Sequence, residues 1–222
     1  MNTPTKLSAV LFDVDGTLVD SNDAHARAWV EAFAELGVDV DYGHVRRCIG
    51  MGGDKLMPEV SRVREDTPKG KAIAERRREI FKDKYLPRLK PFPGAREVAA
   101  ALAGRGLTLV AASSAKKAEL KPLLEVAGVT EFFAGATSSD DAEESKPDPD
   151  IVEAALKRAG VQPEHAILIG DTPYDIEAAA RAGVRAIAFR CGGWSDPDLK
   201  GATAIYEGPA DLLAHLAESP LA

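Results

Sequence analysis

The chain has 222 residues, and its 28 basic and 35 acidic side chains give a formal net charge of −7. Hydrophobic residues make up 45% and charged residues 28%, which excludes a largely disordered, collagen-like or membrane-embedded chain. The length predicts one α/β core with a smaller insertion. The acidic balance argues against nucleic acid as the main partner, because binding to a phosphate backbone requires a basic face.

The two cysteines, Cys48 and Cys191, stand far apart and form no C-x-x-C pair, which predicts reduced thiols and a cytoplasmic protein. Residues 1–11 do not resemble a secretory signal, and no stretch reaches the roughly 20 apolar residues that span a membrane. We therefore expect a soluble protein with no membrane partner, present as a monomer or a weak dimer.

Short apolar runs predict the strands of a parallel sheet that is buried on both faces. They lie at 7–12, 107–112, 166–169 and 186–189, with a weaker candidate at 132–134. Helical stretches separate them, at 95–103, 117–127, 151–158 and 175–182. This alternation predicts an α/β fold, a Rossmann-like open parallel sheet flanked by helices with right-handed crossovers.

The segment 21–91 interrupts the alternation, because it contains predicted helices only, at 23–36, 44–48 and 69–85. We interpret it as a small α-helical cap domain inserted into a core domain made of 1–20 and 92–222. The connections near 19–22 and 89–93 are predicted to be the hinges, and prolines mark the second of them.

Polar residues follow the apolar runs at the points where the strands should end. Because the carboxyl ends of parallel strands meet at one edge of the sheet, these side chains should converge there. They are Asp13 and Asp15 after the first run, Ser113 and Ser114 after the second, Asp171 after the third, and Lys146 in a later loop.

Each of these signals has an ordinary structural alternative. An isolated D-x-D-G is as typical of a turn, the pair Asp171 and Asp175 of a helix cap, and a single Lys146 of a solvated loop. Converging carboxylates change the balance, because two of them about 4 Å apart repel by roughly 4 kcal/mol at an effective dielectric of 20. Such a cluster indicates a cation, and oxygen ligands favour Mg²⁺.

The segment Asp13-Val14-Asp15-Gly16-Thr17-Leu18-Val19-Asp20-Ser21 resembles the first motif of the haloacid dehalogenase-like superfamily, in its phosphatase branch. Ser113 is similar to the second motif, Lys146 in S-K-P-D-P to the third, and Asp171 with Asp175 to the fourth. The motifs occur in family order over residues 7–188. The predicted cap stands where the family's phosphoglycolate phosphatases and β-phosphoglucomutases carry theirs.

The resemblance implies a division of catalytic work. Asp13 would be the nucleophile that forms an aspartyl-phosphate, and Asp15 would protonate the leaving alkoxide and then activate water. Ser113, Ser114 and Lys146 would hold the phosphoryl oxygens.

The resemblance also implies a magnesium site. Its ligands would be Asp13, the backbone carbonyl of Asp15, and Asp171, with Asp175 close to them. The metal would offset the repulsion between the phosphate and the carboxylates.

Residues of the predicted cap are candidates for substrate binding. Gly52 and Gly53 stand where the family places its specificity loop, although a plain turn between two helices fits them equally well. Lys55, Arg46 and Arg47 are candidates for contact with an anionic substrate tail, and His25 for the cleft between cap and core. Arg76, Arg77 and Arg78 lie between Glu75 and Glu79, which favours a salt-bridged surface over a nucleic-acid site.

The sequence therefore predicts a Mg²⁺-dependent phosphatase that hydrolyses phosphomonoesters of small metabolites. One alternative is a β-phosphoglucomutase-like phosphotransferase, which the glycines at 52 and 53 disfavour, because that subfamily has basic residues in its cap loop. The other is a non-catalytic binding protein of the same fold, which would be favoured by the loss of Asp13 or Asp15, and both are present.

Overall fold

Six strands form one parallel sheet at the centre of the structure, a computed structural model that describes residues 6–222. The predicted core segment 1–20 thus begins outside the described residues, and so does part of the segment that was compared with a secretory signal. The strands are β1 (Ala9–Phe12), β2 (Thr108–Ala112), β3 (Phe133–Thr137), β4 (Ala166–Gly170), β5 (Arg185–Phe189) and β6 (Ala204–Tyr206). Their order in the sheet is β3-β2-β1-β4-β5-β6.

The four apolar runs form strands as predicted, and the weaker candidate forms β3 slightly later in the chain. Every residue of β1 and β4 is buried, as expected of strands in the middle of a sheet with both faces covered. Strand β6 was not predicted, because its three residues are only partly buried at the sheet edge and form no long apolar run.

In the segment 21–91, after β1, the chain forms helices and none of the six strands. They are α1 (Asn22–Glu35), α2 (Tyr42–Cys48), α3 (Gly53–Ser61) and α4 (Pro68–Ile80), and a π-helical turn at Phe81–Tyr85 extends the last of them. We call residues 21–91 the helical insertion. Helix α3 was not predicted, because two glycines stand at its start and Pro58 lies inside it. Its buried residues Leu56 and Met57 pack it into the insertion.

Further helices lie directly before β2 and after the later strands, and together they cover both faces of the sheet. They are α5 (Ala95–Gly104), α6 (Lys117–Ala127), α7 (Asp150–Ala159), α8 (Pro173–Arg181) and the short α9 (Pro209–Ala214), which was not predicted. None of the helices within residues 6–222 is long and apolar enough to cross a membrane.

The two connections between the sheet and the helical insertion pair with each other. Val19 and Pro91 form an antiparallel bridge. The Asp20 amide donates to the Lys90 carbonyl at 3.0 Å, and the Phe92 amide donates to the Leu18 carbonyl at 2.9 Å. Both predicted hinge segments therefore lie side by side.

The apolar core is divided by the sheet, because successive strand residues point to opposite faces. Val10 and Phe12 belong to a cluster that continues into the insertion, where it includes Phe81, whereas Leu11 packs on the opposite face against α7 and α8. Both faces of the sheet are filled in this way. Polar side chains can therefore gather only at the strand ends.

Candidate active site

Side chains that follow three neighbouring strands meet at the carboxyl edge of the sheet. Asp13 follows β1, Ser113 follows β2 and Asp171 follows β4, and all three are buried. Carboxylate oxygens of Asp13, Asp171 and Asp175 lie within 4.8 Å of one another. The convergence that was predicted from the strand ends is therefore present in the structure for these residues.

Lys146 is the cation of this cluster. Its side chain is fully buried, and its Nζ lies 2.7 Å from Asp13 Oδ1 and 2.7 Å from Asp175 Oδ1. Burial alone would lower the pKa of Lys146, but the two carboxylates outweigh it and hold the pKa above its usual range. The alternative of a solvated loop lysine is thus wrong for this residue.

The cluster contains more negative than positive charge, since three carboxylates surround one ammonium. Burial and the neighbouring Asp175 raise the pKa of Asp171 to about 7, against the opposing effect of hydrogen bonds from Asn22 and Thr17. Burial raises the pKa of Asp13 well above its usual value, although Lys146 counteracts it. A further cation would stabilise the ionised form of these buried carboxylates. The donor set is all oxygen, so it fits a hard divalent ion.

Neighbouring side chains fix the orientation of Asp171. Thr17 Oγ1 donates to Asp171 Oδ1 at 3.0 Å, and Asn22 Nδ2 donates to Oδ2 at 2.9 Å. Gly16 has a φ of +79°, and a β-carbon there would overlap both Asn22 and Asp171. Glycine at position 16 thus serves both the left-handed turn and the close approach of Asp171.

The start of α8 orients Asp175. Thr172 and Asp175 form a capping box, in which the Thr172 amide and hydroxyl donate to Asp175 Oδ2 at 3.0 Å and 2.7 Å. The ordinary alternative of a helix cap therefore holds for Asp175, which forms the cap together with Thr172. Capping and clustering are both realised, because one oxygen of Asp175 serves the cap and the other faces Lys146.

Asp15 lies beside the acidic cluster, but its carboxylate is held by other partners. Ser21 Oγ donates to Asp15 Oδ1 at 2.5 Å, and His25 Nε2 lies 2.7 Å from the same oxygen. Burial raises the pKa of Asp15, but the His25 ring and the hydrogen bonds from His25 and Ser21 outweigh it, so the net shift is downward. The carboxylates that lie within 4.8 Å of one another are those of Asp13, Asp171 and Asp175, so the part of Asp15 that is a candidate metal ligand is its backbone carbonyl.

Arg77 of α4 contacts the other side of His25. One guanidinium nitrogen bonds to His25 Nδ1, and another donates to both carboxylate oxygens of Glu119 on α6, at 2.7 Å and 2.6 Å. Because a guanidinium can only donate, Nδ1 accepts and the ring proton lies on Nε2, directed at Asp15. Hydrogen bonds thus connect Glu119 of the core through Arg77 and His25 of the insertion to Asp15 in the site.

The expectation of a salt-bridged surface at 76–78 is therefore wrong for Arg77, whose side chain is 13% exposed. It lies over the rings of Trp29 and Phe81, at 5.3 Å and 5.2 Å from their centroids. The sequence did contain a signal for this position, because Ile73, Arg77 and Phe81 are spaced by four on one helical face.

A cavity of about 170 Å³ opens over Asp13 and Asp15. Ser113 and Ser114 border it from the core, and His25, Gly52 and Gly53 border it from the insertion. Two hydrogen bonds connect the insertion to the core next to this cavity. The Gly52 amide donates to Ser145 Oγ at 2.9 Å, and Ser114 Oγ donates to the Gly50 carbonyl at 3.0 Å.

The structure does not bring Lys55 into this cavity. Its ammonium pairs with Asp148 and, at 3.3 Å, with Glu144, so that it joins the insertion to the core outside the cavity. Arg46 is turned to Asp23 at 2.6 Å and to the Gly192 carbonyl at 2.7 Å. These local carboxylates and carbonyls satisfy both cations, which is why neither faces the substrate position.

A Rossmann-like parallel sheet with an acidic, lysine-containing site at its carboxyl edge and helices inserted after β1 defines a class of metal-assisted hydrolases. Residues 10–189 match the family model of the haloacid dehalogenase-like hydrolases, and the chain belongs to this family.

Individual relatives agree with this assignment. The chain is 32% identical to a phosphoglycolate phosphatase of Aquifex aeolicus over 81% of its length and 83% of that protein. It is 38% identical to the chloroplastic protein SUPPRESSOR OF QUENCHING 1 of Arabidopsis thaliana, of which it spans 18%. The crystal structure of a hydrolase from Pseudomonas syringae superposes with a TM-score of 0.88 at 29% identity, covering 96% of this chain and 98% of that one. The protein is thus an enzyme, a phosphatase of this family.

Proposed function

We propose that the protein is a Mg²⁺-dependent phosphomonoesterase in which Asp13 is the nucleophile. The observation that carries the proposal is the position of Asp13, whose carboxylate lies in the cavity floor, 2.7 Å from the Lys146 ammonium and beside Asp15. A dianionic phosphate above it would meet the hydroxyls of Ser113 and Ser114, and the charge of Lys146, buried next to Asp13, would stabilise the phosphoryl oxygens.

In the first step, a carboxylate oxygen of Asp13 forms a bond to phosphorus while the bond to the ester oxygen breaks. Asp15 gives its proton to the departing alkoxide, so the alcohol leaves neutral. The negative phosphate favours the protonated form of Asp15 at this stage. In the second step, Asp15 takes a proton from water, which attacks phosphorus and releases phosphate and free Asp13.

Asp13, Asp171 and Asp175 would hold the metal, together with the Asp15 backbone carbonyl. A bound Mg²⁺ supplies positive charge that offsets the repulsion between phosphate and carboxylates. The burial of this unbalanced acidic cluster and its all-oxygen donor set support this choice.

We propose that the helical insertion works as a cap over the site, within the domain limits 21–91 and 1–20 with 92–222. The cavity volume of about 170 Å³ supports a small phosphorylated metabolite as substrate. The loop at Gly52 and Gly53 contributes no basic side chain to the cavity, which supports hydrolysis over transfer to a second phosphate ester. A cytoplasmic location and a monomer or weak dimer remain predictions.

Turnover of p-nitrophenyl phosphate tests the proposal. We expect activity with Mg²⁺ that chelation removes and that Asp13→Asn abolishes, because an amide oxygen does not replace the nucleophile. The matched control is Asp39→Asn, which changes an exposed aspartate away from the cavity and should leave turnover unchanged. Turnover by Asp13→Asn at the wild-type rate would refute the assignment. Release of an isomerised sugar phosphate instead of free phosphate would favour the mutase alternative.

A further inference from the structure

Charged side chains line the cavity beyond the reacting groups, and most of them have a protein partner. Arg77 pairs with Glu119, Arg78 with Glu75, and Lys116 lies 3.3 Å from Asp140. Each of these three cations therefore has a carboxylate partner within the protein, although all three still lower the pKa of Glu65.

The carboxylates of the cavity lining differ from one another in this respect. Asp54 accepts a hydrogen bond from the Ser145 amide at 3.3 Å, and Glu143 is exposed to solvent at the cavity rim. Glu65, in the loop between α3 and α4, is half-buried. Within residues 6–222 it takes part in no ion pair of 4.0 Å or less and accepts no hydrogen bond.

The surroundings of Glu65 direct its carboxylate into the cavity. A β-carbon at Gly53 would lie 3.2 Å from Glu65 Oε2 and 3.3 Å from the ring of Trp29, and Glu65, Gly53 and Trp29 all line the cavity. Glycine at position 53 thus leaves the space in which a carboxylate and an indole edge lie together.

An unpaired carboxylate that is partly removed from water loses hydration without gaining a partner. Burial raises the pKa of Glu65, and the nearby Lys116 counteracts it without forming an ion pair. A ligand group that donates a hydrogen bond would supply the missing partner. A ligand carboxylate offers acceptors only, and it would repel Glu65.

We propose that Glu65 selects the alcohol part of the substrate, favouring phosphate esters whose leaving group carries a hydroxyl or ammonium donor and rejecting those that end in a carboxylate. This inference rests on the proposed phosphomonoesterase activity. It assigns Glu65 to substrate specificity and leaves the chemical step to the aspartates.

A series of esters of nearly equal size tests the proposal at pH 7.5 with Mg²⁺. The members are 2-hydroxyethyl phosphate, phosphoethanolamine, ethyl phosphate and 2-phosphoglycolate, each accompanied by its homologue with one more carbon. We expect kcat/KM for the better donor-bearing ester to exceed that of ethyl phosphate by about tenfold or more, and that of 2-phosphoglycolate by about a hundredfold. The hydroxyl and ammonium arms show which donor the site prefers.

The variant Glu65→Gln separates charge from hydrogen bonding, because its amide carbonyl still accepts but carries no charge. We expect its kcat/KM for 2-phosphoglycolate to rise about tenfold and that for phosphoethanolamine to fall about tenfold, with the hydroxyethyl ester changed less than about threefold. The matched control Glu143→Gln removes the same charge from the exposed rim and should leave the ranking unchanged. Thermal unfolding verifies that both variants fold.

The outcomes distinguish this inference from the proposed function. If p-nitrophenyl phosphate is hydrolysed but the series is flat, if 2-phosphoglycolate is preferred, or if Glu143→Gln shifts the ranking as much as Glu65→Gln, selection by Glu65 is refuted and the phosphatase stands. If no ester is hydrolysed under any condition, both fall together.

Discussion

Lys146 shows how a single buried side chain sets the charge of the site. It contacts Asp13 and Asp175 at 2.7 Å each, so the two carboxylates are held toward one cation. Asp171 makes no such contact and depends on hydrogen bonds from Thr17 and Asn22. Asp171 therefore has no cation of the described residues in contact with it, and a metal ion would supply one.

This difference predicts a pH dependence of stability for the metal-free protein. The pKa of Asp171 is about 7 in the folded state, above the value of about 3.9 expected when unfolded. A raised pKa means that the stability linked to this group is full below about pH 4 and is lost as the pH rises toward 7. Asp171→Asn is neutral throughout. We expect the melting temperature of Asp171→Asn to rise relative to that of the wild type as the pH increases from 5 to 8.

The matched control for this measurement is Asp66→Asn, at an exposed aspartate whose pKa is lowered by Arg64. The melting temperature of Asp66→Asn should not rise relative to that of the wild type between pH 5 and pH 8. Adding Mg²⁺ should raise the melting temperature of the wild type at pH 8 and have little effect on Asp171→Asn. A constant difference between Asp171→Asn and the wild type across this range would contradict the assignment.

At the scale of elements, α4 of the insertion and α6 of the core meet through Arg77 and Glu119. Both side chains are nearly buried, with 13% and 8% exposed, so water screens the pair little. The same guanidinium bonds to His25, whose ring stacks on Phe81 at 4.0 Å. The position of one helix against another therefore sets the orientation of the ring beside Asp15.

We expect Glu119→Gln to lower kcat for p-nitrophenyl phosphate by about tenfold, because a neutral amide holds the guanidinium less firmly and His25 loses its fixed orientation. Steady-state kinetics at several pH values measures the effect, and the pH profile of kcat should shift with it. Glu79→Gln is the matched control, since Glu79 pairs with Arg76 on the exposed face of α4, away from the cavity. Equal kinetics for Glu119→Gln and the wild type would show that this contact is only structural.

The elements also show what local pattern can and cannot predict. The apolar runs of β1, β2, β4 and β5 were evident, because strands buried on both faces need continuous apolar sequence. Asp13, Asp171 and Lys146 follow from motif order and strand ends. Glu119 and Glu65 were missed, because their roles depend on where α4 and the loop before it meet the core.

At the scale of the molecule, contacts outside the cavity hold the insertion on the core. Lys55 pairs with Asp148 and Glu144, and Tyr174 donates to the Arg47 carbonyl at 2.7 Å. These contacts are polar and partly exposed, so each contributes little by itself. We therefore infer that this face opens to admit substrate and closes again, as proposed for the cap.

Charge reversal tests this interpretation. Lys55→Glu places a third acidic group beside Asp148 and Glu144, so we expect the insertion to open and KM for p-nitrophenyl phosphate to rise about threefold to tenfold. Small-angle X-ray scattering should give a larger radius of gyration. The double variant Lys55→Glu with Asp148→Lys restores an opposite pair and should recover the wild-type KM. An unchanged KM in the single variant, or no recovery in the double variant, would show that this contact does not hold the closed form.

The paired connections near Val19 and Pro91 have a consequence for how such proteins diversify. The two connections between the sheet and the insertion lie side by side. They are hydrogen-bonded to each other, between Asp20 and Lys90 and between Leu18 and Phe92. The sheet thus needs only two adjoining ends, whatever length of chain joins them. A different module with equally close termini could be grafted at this junction, giving a new selectivity while the reaction centre stays intact.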